Sequence, residues 1–349
     1  MDAPPLRYVK TSDGYDIAYC VSGAGVPFVY MPNAHSHIQL AWRTHGPFRL
    51  LFERLSERFK LICYDSRGLG SSTRGLGETH QSEDFELDLD TVIDHLGLQR
   101  FALMAQNNFG RVAMNYAARN PDRVVALVLF NSDLGDVPQD RSYKPTQLET
   151  LATTDWEMYI ETMVRTNWRD SDPELARRFV RESITPQDWL IRTHAWSRYN
   201  ALHALPRLRI PTLLIAKGAG NLSSTETVSR YMASQVPGSH LAVFDDAGGG
   251  LFSLAPETPP AITLIEDLIR NATAGDPSAP SQARPLAELT HREVEVLRLI
   301  AAGKSNQQIA DELVLSLRTV ERHITNLYAK IGAHGKADAT AYALRHGLE

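Results

Sequence analysis

The sequence has few of the residues that build small secreted domains or membrane spans. Only two of its 349 residues are cysteines, Cys20 and Cys63, and their spacing fits no metal-binding motif. No apolar run approaches the roughly 18 residues that a membrane-spanning helix needs. The first residues also lack the basic and then apolar pattern of a secretion signal. These features predict a reduced, cytoplasmic protein without a membrane partner.

There is also no excess of positive charge. Lys and Arg number 36, Asp and Glu number 41, and the formal net charge is −5. The last 64 residues are neutral, with eight charged residues of each sign. A nucleic-acid site there would need cations clustered on one face. With 43% hydrophobic and 22% charged residues the composition is that of a globular protein, and at roughly 150 residues per domain the length predicts two domains.

Strand-like and helix-like stretches alternate through the first three quarters of the chain. This alternation predicts an α/β fold with a mostly parallel sheet covered on both faces. The helical patterns lie near 47–57, 83–96, 109–119 and 225–236. The apolar runs typical of buried strands lie at 27–31, 60–64, 101–105, 124–130, 211–216 and 240–244.

A long insertion and a linker complete the domain plan. The insertion, at about 140–205, has helical periodicity, no strand pattern and four of the five tryptophans. An insertion at the carboxyl end of a sheet usually caps a ligand crevice. Residues 272–285 are small, polar and rich in Pro and Gly, as in a linker. The prediction is one domain at 1–271 and an all-helical domain at 286–349.

Capping residues divide the last domain into four helices. Ser305 and Gln308 have the spacing of a capping box before the second helix. Ser316 is expected to cap a longer third helix that ends near Ile331, and the fourth is predicted over about 336–346. The second and third helices make a helix-turn-helix.

The outer face of the third helix is polar and suits a DNA major groove. Arg, Thr and Glu near a helix N-terminus can reach base edges, and Lys and Asn further along suit phosphates. The alternative is a solvated helix face, which is the commoner meaning of mixed charge. The residues on this face are Arg318, Glu321, Arg322, Thr325, Asn326 and Lys330.

Residues 289–348, which begin LTHREVEVLRLIAAGKSNQQIA, resemble the LuxR-type, also called GerE-type, DNA-binding domain over its whole length. The resemblance implies a four-helix module whose third helix enters the major groove of double-stranded DNA. It also implies a homodimer on a pseudo-palindromic site. By position, Glu321, Arg322 and Thr325 would face bases. Those that would face phosphates or hold the DNA-facing loops are Lys304, Asn306, Thr319, Asn326, Lys330 and Lys336.

The first domain resembles the α/β-hydrolase fold over about 8–270. YDSRGLGSS at 64–72 is similar to that family's strand and RGxGxS turn, and 101–131 is similar to its central strand, nucleophile elbow, helix and next strand. The resemblance implies a mostly parallel sheet with a helical cap. The fold prediction is therefore an α/β-hydrolase domain followed by an all-α helix-turn-helix domain.

The residues that carry catalysis in that family are replaced. A G-x-S-x-G elbow normally presents a serine that a histidine and an acid activate. Alignment places Asn107 at the serine position, Asn221 at the acid and Gly249 at the histidine. An amide nitrogen is a poor nucleophile because its lone pair is delocalised into the carbonyl. The prediction is a domain that binds but is not an enzyme, with no cofactor.

Candidate ligand-binding residues lie at the elbow, in the stretch after the first core strand and in the cap. Asn107 and Asn108 could contact a ligand or hydrogen-bond the elbow backbone. His35 and His37 lack a third ligand, so no metal site is predicted. Cap aromatics are more often core than ligand contacts, and one or two are expected to line the cavity. The full set is Asn33, His35, His37, Asn107, Asn108, Trp156, Tyr159, Trp189 and Trp196.

Three functions are compatible with these patterns. The leading one is a transcription regulator in which a small, partly apolar effector bound under the cap shifts the arrangement of a DNA-binding dimer. The second is a working hydrolase or lyase with a DNA-binding tail, using Asp133, His35 or His37. The third is an interaction module in which the first domain only dimerises and binds another protein. An enclosed pocket of a few hundred cubic ångströms would favour the regulator over the third, whereas an apolar cavity with no room for a ligand would favour the third.

Overall fold

The computed structural model describes two compact units, at 1–281 and 282–349. The first is α/β and the second is all-α. No helix among the placed residues is long and apolar enough to cross a membrane. The residues that the structure describes are 3–43, 47–135, 147–168, 172–217, 225–244, 259–274, 291–313, 315–331, 333 and 335–345.

The α/β unit is built on one eight-stranded sheet in the described part of the chain, with the strand order β1-β2-β4-β3-β5-β6-β7-β8. The pairs β1–β2 and β2–β4 are antiparallel, and the other five pairs are parallel. The strands are β1 (Arg7–Lys10), β2 (Asp16–Ser22), β3 (Pro27–Tyr30), β4 (Lys60–Tyr64), β5 (Phe101–Gln106), β6 (Val124–Phe130), β7 (Thr212–Lys217) and β8 (His240–Phe244).

Helices cover both faces of this sheet, which explains why its central strands are continuous apolar runs. Every residue of β5 and β6 is buried. One face packs against α3 (Asp84–His95), α4 (Phe109–Arg119) and α9 (Thr225–Gln235). The other packs against α1 (Ile38–Arg43), α2 (Pro47–Ser56) and α10 (Pro259–Thr273).

Four helices form the cap between β6 and β7. Side chains of Asp155, Asp172 and Thr185 accept backbone N–H groups at the starts of the second, third and fourth cap helices. Proline in the first turn also favours the last two helices, because it has no amide that needs a partner there. The helices are α5 (Gln147–Thr154), α6 (Trp156–Asn167), α7 (Pro173–Ser183) and α8 (Pro186–Trp196).

A buried ion pair fixes the turn between β4 and α3. Asp88 is 0% exposed and accepts from Arg67 Nε at 2.8 Å and from the Arg67 N–H at 2.9 Å. The hydroxyl of Ser66 donates to the same carboxylate. Arg67 also donates to Asp13 at 2.6 Å, near β1. The RGxGxS turn is therefore held by a charged network.

In its described residues, the helical unit has four helices around one small core. They are α11 (His291–Ala301), α12 (Asn306–Leu313), α13 (Leu317–Ile331) and α14 (Lys336–Arg345). The predicted capping box is formed, since the Ser305 N–H donates to Gln308 Oε1 at 2.8 Å and the Gln308 N–H donates to Ser305 Oγ at 3.3 Å. The core residues are Val296, Leu297, Ile300, Ile309, Ala310, Val320, Ile324, Leu327, Ala339 and Ala343.

All six predicted strands and all four predicted helices of the first domain are present. Among the described residues, the antiparallel strands β1 and β2 and the helices α1 and α10 were not predicted. Helix α10 ends at Thr273, two residues inside the predicted linker, and 275–285 lies outside the described residues. Cys20 and Cys63 face each other across β2 and β4 and are buried as free thiols.

Candidate functional site

The turn between β5 and α4 has the backbone shape of a nucleophile elbow. Asn107 has a φ of 49°, a left-handed conformation that few residues other than glycine adopt. Its N–H donates to Phe130 O of β6 at 3.2 Å. A Cβ on Gly110 would lie 2.2 Å from Ser132 Oγ, so α4 packs directly against the end of β6. The turn thus presents the Asn107 side chain at the carboxyl edge of the sheet.

Four polar side chains form a hydrogen-bonded chain at this elbow. Asn107 Nδ2 donates to Asn33 Oδ1 at 3.0 Å, and Asn33 Nδ2 donates to Gln106 Oε1 at 3.4 Å. Gln106 Nε2 then donates to Tyr30 Oη at 2.8 Å. Asn33 and Gln106 are buried. The amide of Asn107 is therefore held by a side chain from the segment that follows β3.

The neighbouring Asn108 has a different role. It occupies the N-cap position of α4, but its side chain accepts no cap hydrogen bond and is half-buried. The side-chain amide of Asn107 likewise donates to the Asn33 side chain and not to the elbow backbone. Contact of either residue with a ligand stays a prediction.

A hydroxyl lies beside an imidazole under the cap. Tyr159 Oη of α6 is 3.0 Å from His35 Nε2, and both residues are buried. Burial, with a smaller effect of the Arg192 charge, lowers the pKa of His35 to about 3. Burial raises the pKa of Tyr159 well above its usual range. Because both shifts oppose transfer of the phenolic proton to the imidazole, the pair is a hydrogen bond between neutral groups.

The predicted cap aromatics form two separate groups. Trp156 stacks on Tyr159 with ring centroids 4.7 Å apart, and Trp189 meets Tyr159 edge-on at 5.1 Å. Trp196 instead stacks on Phe85 of α3 at 4.9 Å. These side chains pack largely on other rings, which is the commoner role of cap aromatics.

His35 and His37 have different surroundings. His37 Nδ1 accepts from the Leu40 N–H at 3.5 Å. Burial lowers the pKa of His37, although the nearby Asp65 carboxylate opposes that shift. Within the part of the chain that is described, no cluster of three or more His, Cys, Asp or Glu could hold a metal ion.

Asp133, an acid considered for catalysis, is engaged elsewhere. Its Oδ1 accepts from Arg111 Nε at 2.5 Å and from the Gly135 N–H at 2.9 Å. Arg111 Nη1 in turn donates to the carbonyls of Trp196 and Tyr199. Asp133 therefore supports a link between α4 and the end of the cap.

A cavity of about 780 Å³ lies between the loop before α3 and the cap helices α5 and α8. Leu190, Ile191 and Ala195 give it an apolar wall, while His80 and Arg198 are among its polar lining. None of the nine predicted ligand-binding residues is among the described residues that line it. Its size lies in the range of small-molecule sites, roughly 300–1,000 Å³.

Arg192 is a buried cation that was not predicted from the sequence. It is 2% exposed, and its guanidinium lies 4.4 Å from the Phe85 ring centroid and 5.5 Å from that of Phe109. Nη1 donates to Arg67 O at 2.7 Å, but the buried Nη2 has no partner among the described residues. The spacing of Asp188, Arg192 and Trp196 by four residues was a signal, since it places them on one face of α8.

Lowering the pH from 7 to 5 is expected to destabilise the α/β unit. Burial, with the Arg192 charge, lowers the pKa of His80 to about 4, and that of His35 is about 3. The unfolded chain takes up these protons near pH 6.5, so it binds more protons than the folded chain in this window. Stability should fall by at most about 1.4 kcal/mol per pH unit per histidine, which urea unfolding at each pH measures.

Two variants isolate this contribution. His80→Asn should reduce the pH slope, because one neutral buried imidazole is removed. His203→Asn is the matched control, since His203 is exposed. Equal slopes for His80→Asn and the unchanged chain would count against the protonation account.

Helix α13 has one polar and one buried face. Val320, Ile324 and Leu327 are buried in the core of the helical unit. The other face is exposed, and its contact with a DNA groove stays a prediction. Its exposed residues are Arg318, Glu321, Arg322, Thr325 and Asn326.

The predicted phosphate contacts lie at helix starts and loops. The Thr319 hydroxyl is 2.7 Å from Ser316 Oγ at the start of α13. Lys336 Nζ donates to Lys304 O at 2.9 Å, which joins α14 to the loop before α12. Asn306, half-buried, is the first residue of α12. The side chain of Lys330 lies outside the described residues.

Two of the three triad positions also lie outside the described residues. They are Asn221 and Gly249. Their roles therefore stay predictions from the alignment. Asn107 is the triad position whose geometry the structure describes.

Two family models match the chain. Residues 287–343 match the family of bacterial regulatory proteins called the luxR family, and residues 35–256 match the alpha/beta hydrolase fold. The transcriptional regulatory protein LiaR of Bacillus subtilis (strain 168) is 37% identical over 99 residues, which are 24% of this chain and 47% of LiaR. The chain thus spans about half the length of that regulator.

Solved structures resemble the α/β unit. An esterase from Exiguobacterium antarcticum has a TM-score of 0.64 at 19% identity, covering 77% of this chain and 100% of its own. An esterase from Thermogutta terrifontis has a TM-score of 0.63 at 22% identity, covering 77% and 99%. At this identity they show the fold alone. The chain belongs to the alpha/beta hydrolase fold family and carries a C-terminal helix-turn-helix domain of the luxR family of bacterial regulatory proteins.

Proposed function

We propose that this chain is a ligand-responsive, DNA-binding transcription regulator whose hydrolase-fold domain binds a small, partly apolar effector without converting it. The observation that carries this proposal is the elbow. Asn107 keeps the backbone conformation of a nucleophile position but offers an amide bonded to Asn33. An amide nitrogen does not attack a carbonyl carbon at a useful rate.

The other catalytic candidates support the same proposal. Alignment gives Asn221 and Gly249 at the acid and base positions, and neither can polarise a nucleophile. The Asp133 carboxylate accepts hydrogen bonds from Arg111 and from the Gly135 N–H, and neither donor is a histidine. Binding and oxyanion effects alone leave little turnover.

A working hydrolase is the second candidate, and the Tyr159–His35 pair is the observation that favours it. The esterases of similar fold also act as enzymes. The two pKa directions weigh against it, because a buried phenol with a raised pKa and an imidazole with a pKa of about 3 do not exchange a proton near neutral pH.

The effector would act through the dimer. A partly open cavity of about 780 Å³ gives the α/β unit room for a ligand, which supports a sensor over an interaction module. In this proposal the chain is a cytoplasmic homodimer, and effector binding favours one arrangement of its two helix-turn-helix domains on double-stranded DNA. The effector must bind that arrangement more tightly than the other, or no shift occurs.

Footprinting on genomic fragments tests the DNA-binding part. We expect the full chain to protect a site of two half-sites related by an approximate two-fold axis, since a dimer presents two copies of α13. Uniform weak binding to all fragments at physiological salt, with no protected site, would contradict the proposal.

A further inference from the structure

We infer that the effector carries a carboxylate, which Arg192 receives beneath the cap. The inference rests on the proposed function, because it names the class of molecule that the same domain binds. It starts from an energetic problem. A guanidinium withdrawn from water needs a partner for its charge and its N–H groups, and leaving them unpaired is costly.

Arg192 has no hydrogen-bonded carboxylate partner among the described residues. Its Nη1 donates only to a backbone carbonyl, and its buried Nη2 donates to nothing. The two buried carboxylates nearby are engaged elsewhere. Asp88 accepts from Arg67, and Asp188 accepts from the N–H groups of Gly75 and Leu76. Burial lowers the pKa of Arg192 to about 9, although the nearby Asp88 and Asp188 carboxylates oppose that shift.

A second buried side chain has the same deficit. The Tyr64 hydroxyl has no partner among the described residues. Tyr64 belongs to the same hydrophobic core as Phe85 and Phe109, on whose rings the Arg192 guanidinium lies. A guanidinium edge and a phenol are both donors to a carboxylate oxygen. Two unpaired donors in one buried core, one of them a guanidinium, therefore indicate an acceptor that bears negative charge.

The surroundings favour a singly charged acid over a phosphate. Asp88 and Asp188 are neighbouring negative charges that already offset part of the Arg192 charge, so a ligand with one negative charge is repelled less than a ligand with two. The guanidinium lies on the rings of Phe85 and Phe109, and Trp196 stacks on Phe85. These rings suit an aromatic or aliphatic substituent on the acid.

The cation also lies near the elbow and the cavity. Phe109, whose ring centroid lies 5.5 Å from the Arg192 guanidinium, directly follows Asn107 and Asn108 in the sequence. His80 lines the 780 Å³ cavity, and its ring is 4.7 Å from that of Phe85. The His80 side chain thus lies between a ligand in the cavity and the Phe85 ring, against which the Arg192 guanidinium packs.

This arrangement distinguishes an acid from its ester. A hydrolase crevice accepts the neutral ester, whereas an unpaired guanidinium favours the carboxylate that ester or amide hydrolysis releases. The reaction that supplies the effector is therefore one that generates a free carboxylate. The domain would report the product of such a reaction and not its substrate.

Matched probes test the inference on the full chain. Calorimetry compares phenylacetate, phenylacetamide and methyl phenylacetate, which differ in charge but little in size, with acetate and acetamide as a smaller pair. We expect a carboxylate to bind about ten-fold or more tightly than its amide, because hydrogen bonds to charged groups are the stronger kind. The preference should vanish in Arg192→Met, return in part in Arg192→Lys, and persist in Arg207→Met, which removes an exposed arginine.

Three outcomes are distinct. Equal affinity for acid and amide in both pairs, including no binding of either, overturns the inference even if Arg192→Met fails to fold. A carboxylate preference that survives in Arg192→Met also overturns it. Conversion of methyl phenylacetate to phenylacetate and methanol overturns the proposed function instead, and it leaves the acid-over-amide comparison intact.

Discussion

Asp88→Ala is expected to lower the free energy of unfolding of the α/β unit by about 3–5 kcal/mol, because it leaves the Arg67 guanidinium buried without its main partner. Asp88 is 0% exposed and accepts from both the side chain and the backbone of Arg67. All five tryptophans lie in residues 1–281, so their fluorescence in urea follows this unit alone.

Asp94→Ala is the matched control on the same helix. Its carboxylate also pairs with an arginine, Arg123 at 2.7 Å, but its side chain is 64% exposed. Exposed pairs contribute about 0–1 kcal/mol, so this variant should differ little from the unchanged chain. Similar losses for Asp88→Ala and Asp94→Ala would show that the buried network does not hold the turn after β4.

Arg322→Ala is expected to weaken binding to the footprinted site by about 1–3 kcal/mol and to relax specificity at one base pair. Arg322 is exposed on α13, opposite the buried residues Val320 and Ile324. Fluorescence anisotropy on the site and on its single-base variants measures both effects. The magnitude is that of a bidentate contact with a base edge.

Two variants separate base contacts from phosphate contacts. Lys330→Ala should weaken binding to all sequences alike and reduce the salt slope by about 0.9. Arg298→Ala removes an exposed positive charge from α11 and serves as the control for charge alone. The assigned roles are wrong if Arg322→Ala and Lys330→Ala change specificity and salt dependence in the same way.

The fold was largely predictable because its elements have strong local signals. Continuous apolar runs such as β5 and β6 need burial on both faces, and the capping box at Ser305 and Gln308 marks the start of α12. The missed strands β1 and β2 are at the sheet edge, where pairing depends on distant residues. For example, Tyr19 pairs with Tyr64, which no local pattern reveals.

The site was less predictable because its key contacts are long-range. The position of Asn107 followed from the elbow pattern, but its bond to Asn33 joins residues 74 positions apart. The isolation of Arg192 depends on where Asp88 and Asp188 direct their carboxylates, which only the packed structure shows. Sequence patterns give the identity of a buried cation but not whether a partner reaches it.

Hydrolysis of a panel of p-nitrophenyl esters by the full chain tests the central claim most directly. The account predicts release of p-nitrophenol at the rate of buffer alone, because neither Asn107 nor the Tyr159–His35 pair supplies a nucleophile near neutral pH. Turnover above that rate, lost in Tyr159→Phe or His35→Gln but kept in His203→Asn, would contradict it and identify the domain as an enzyme.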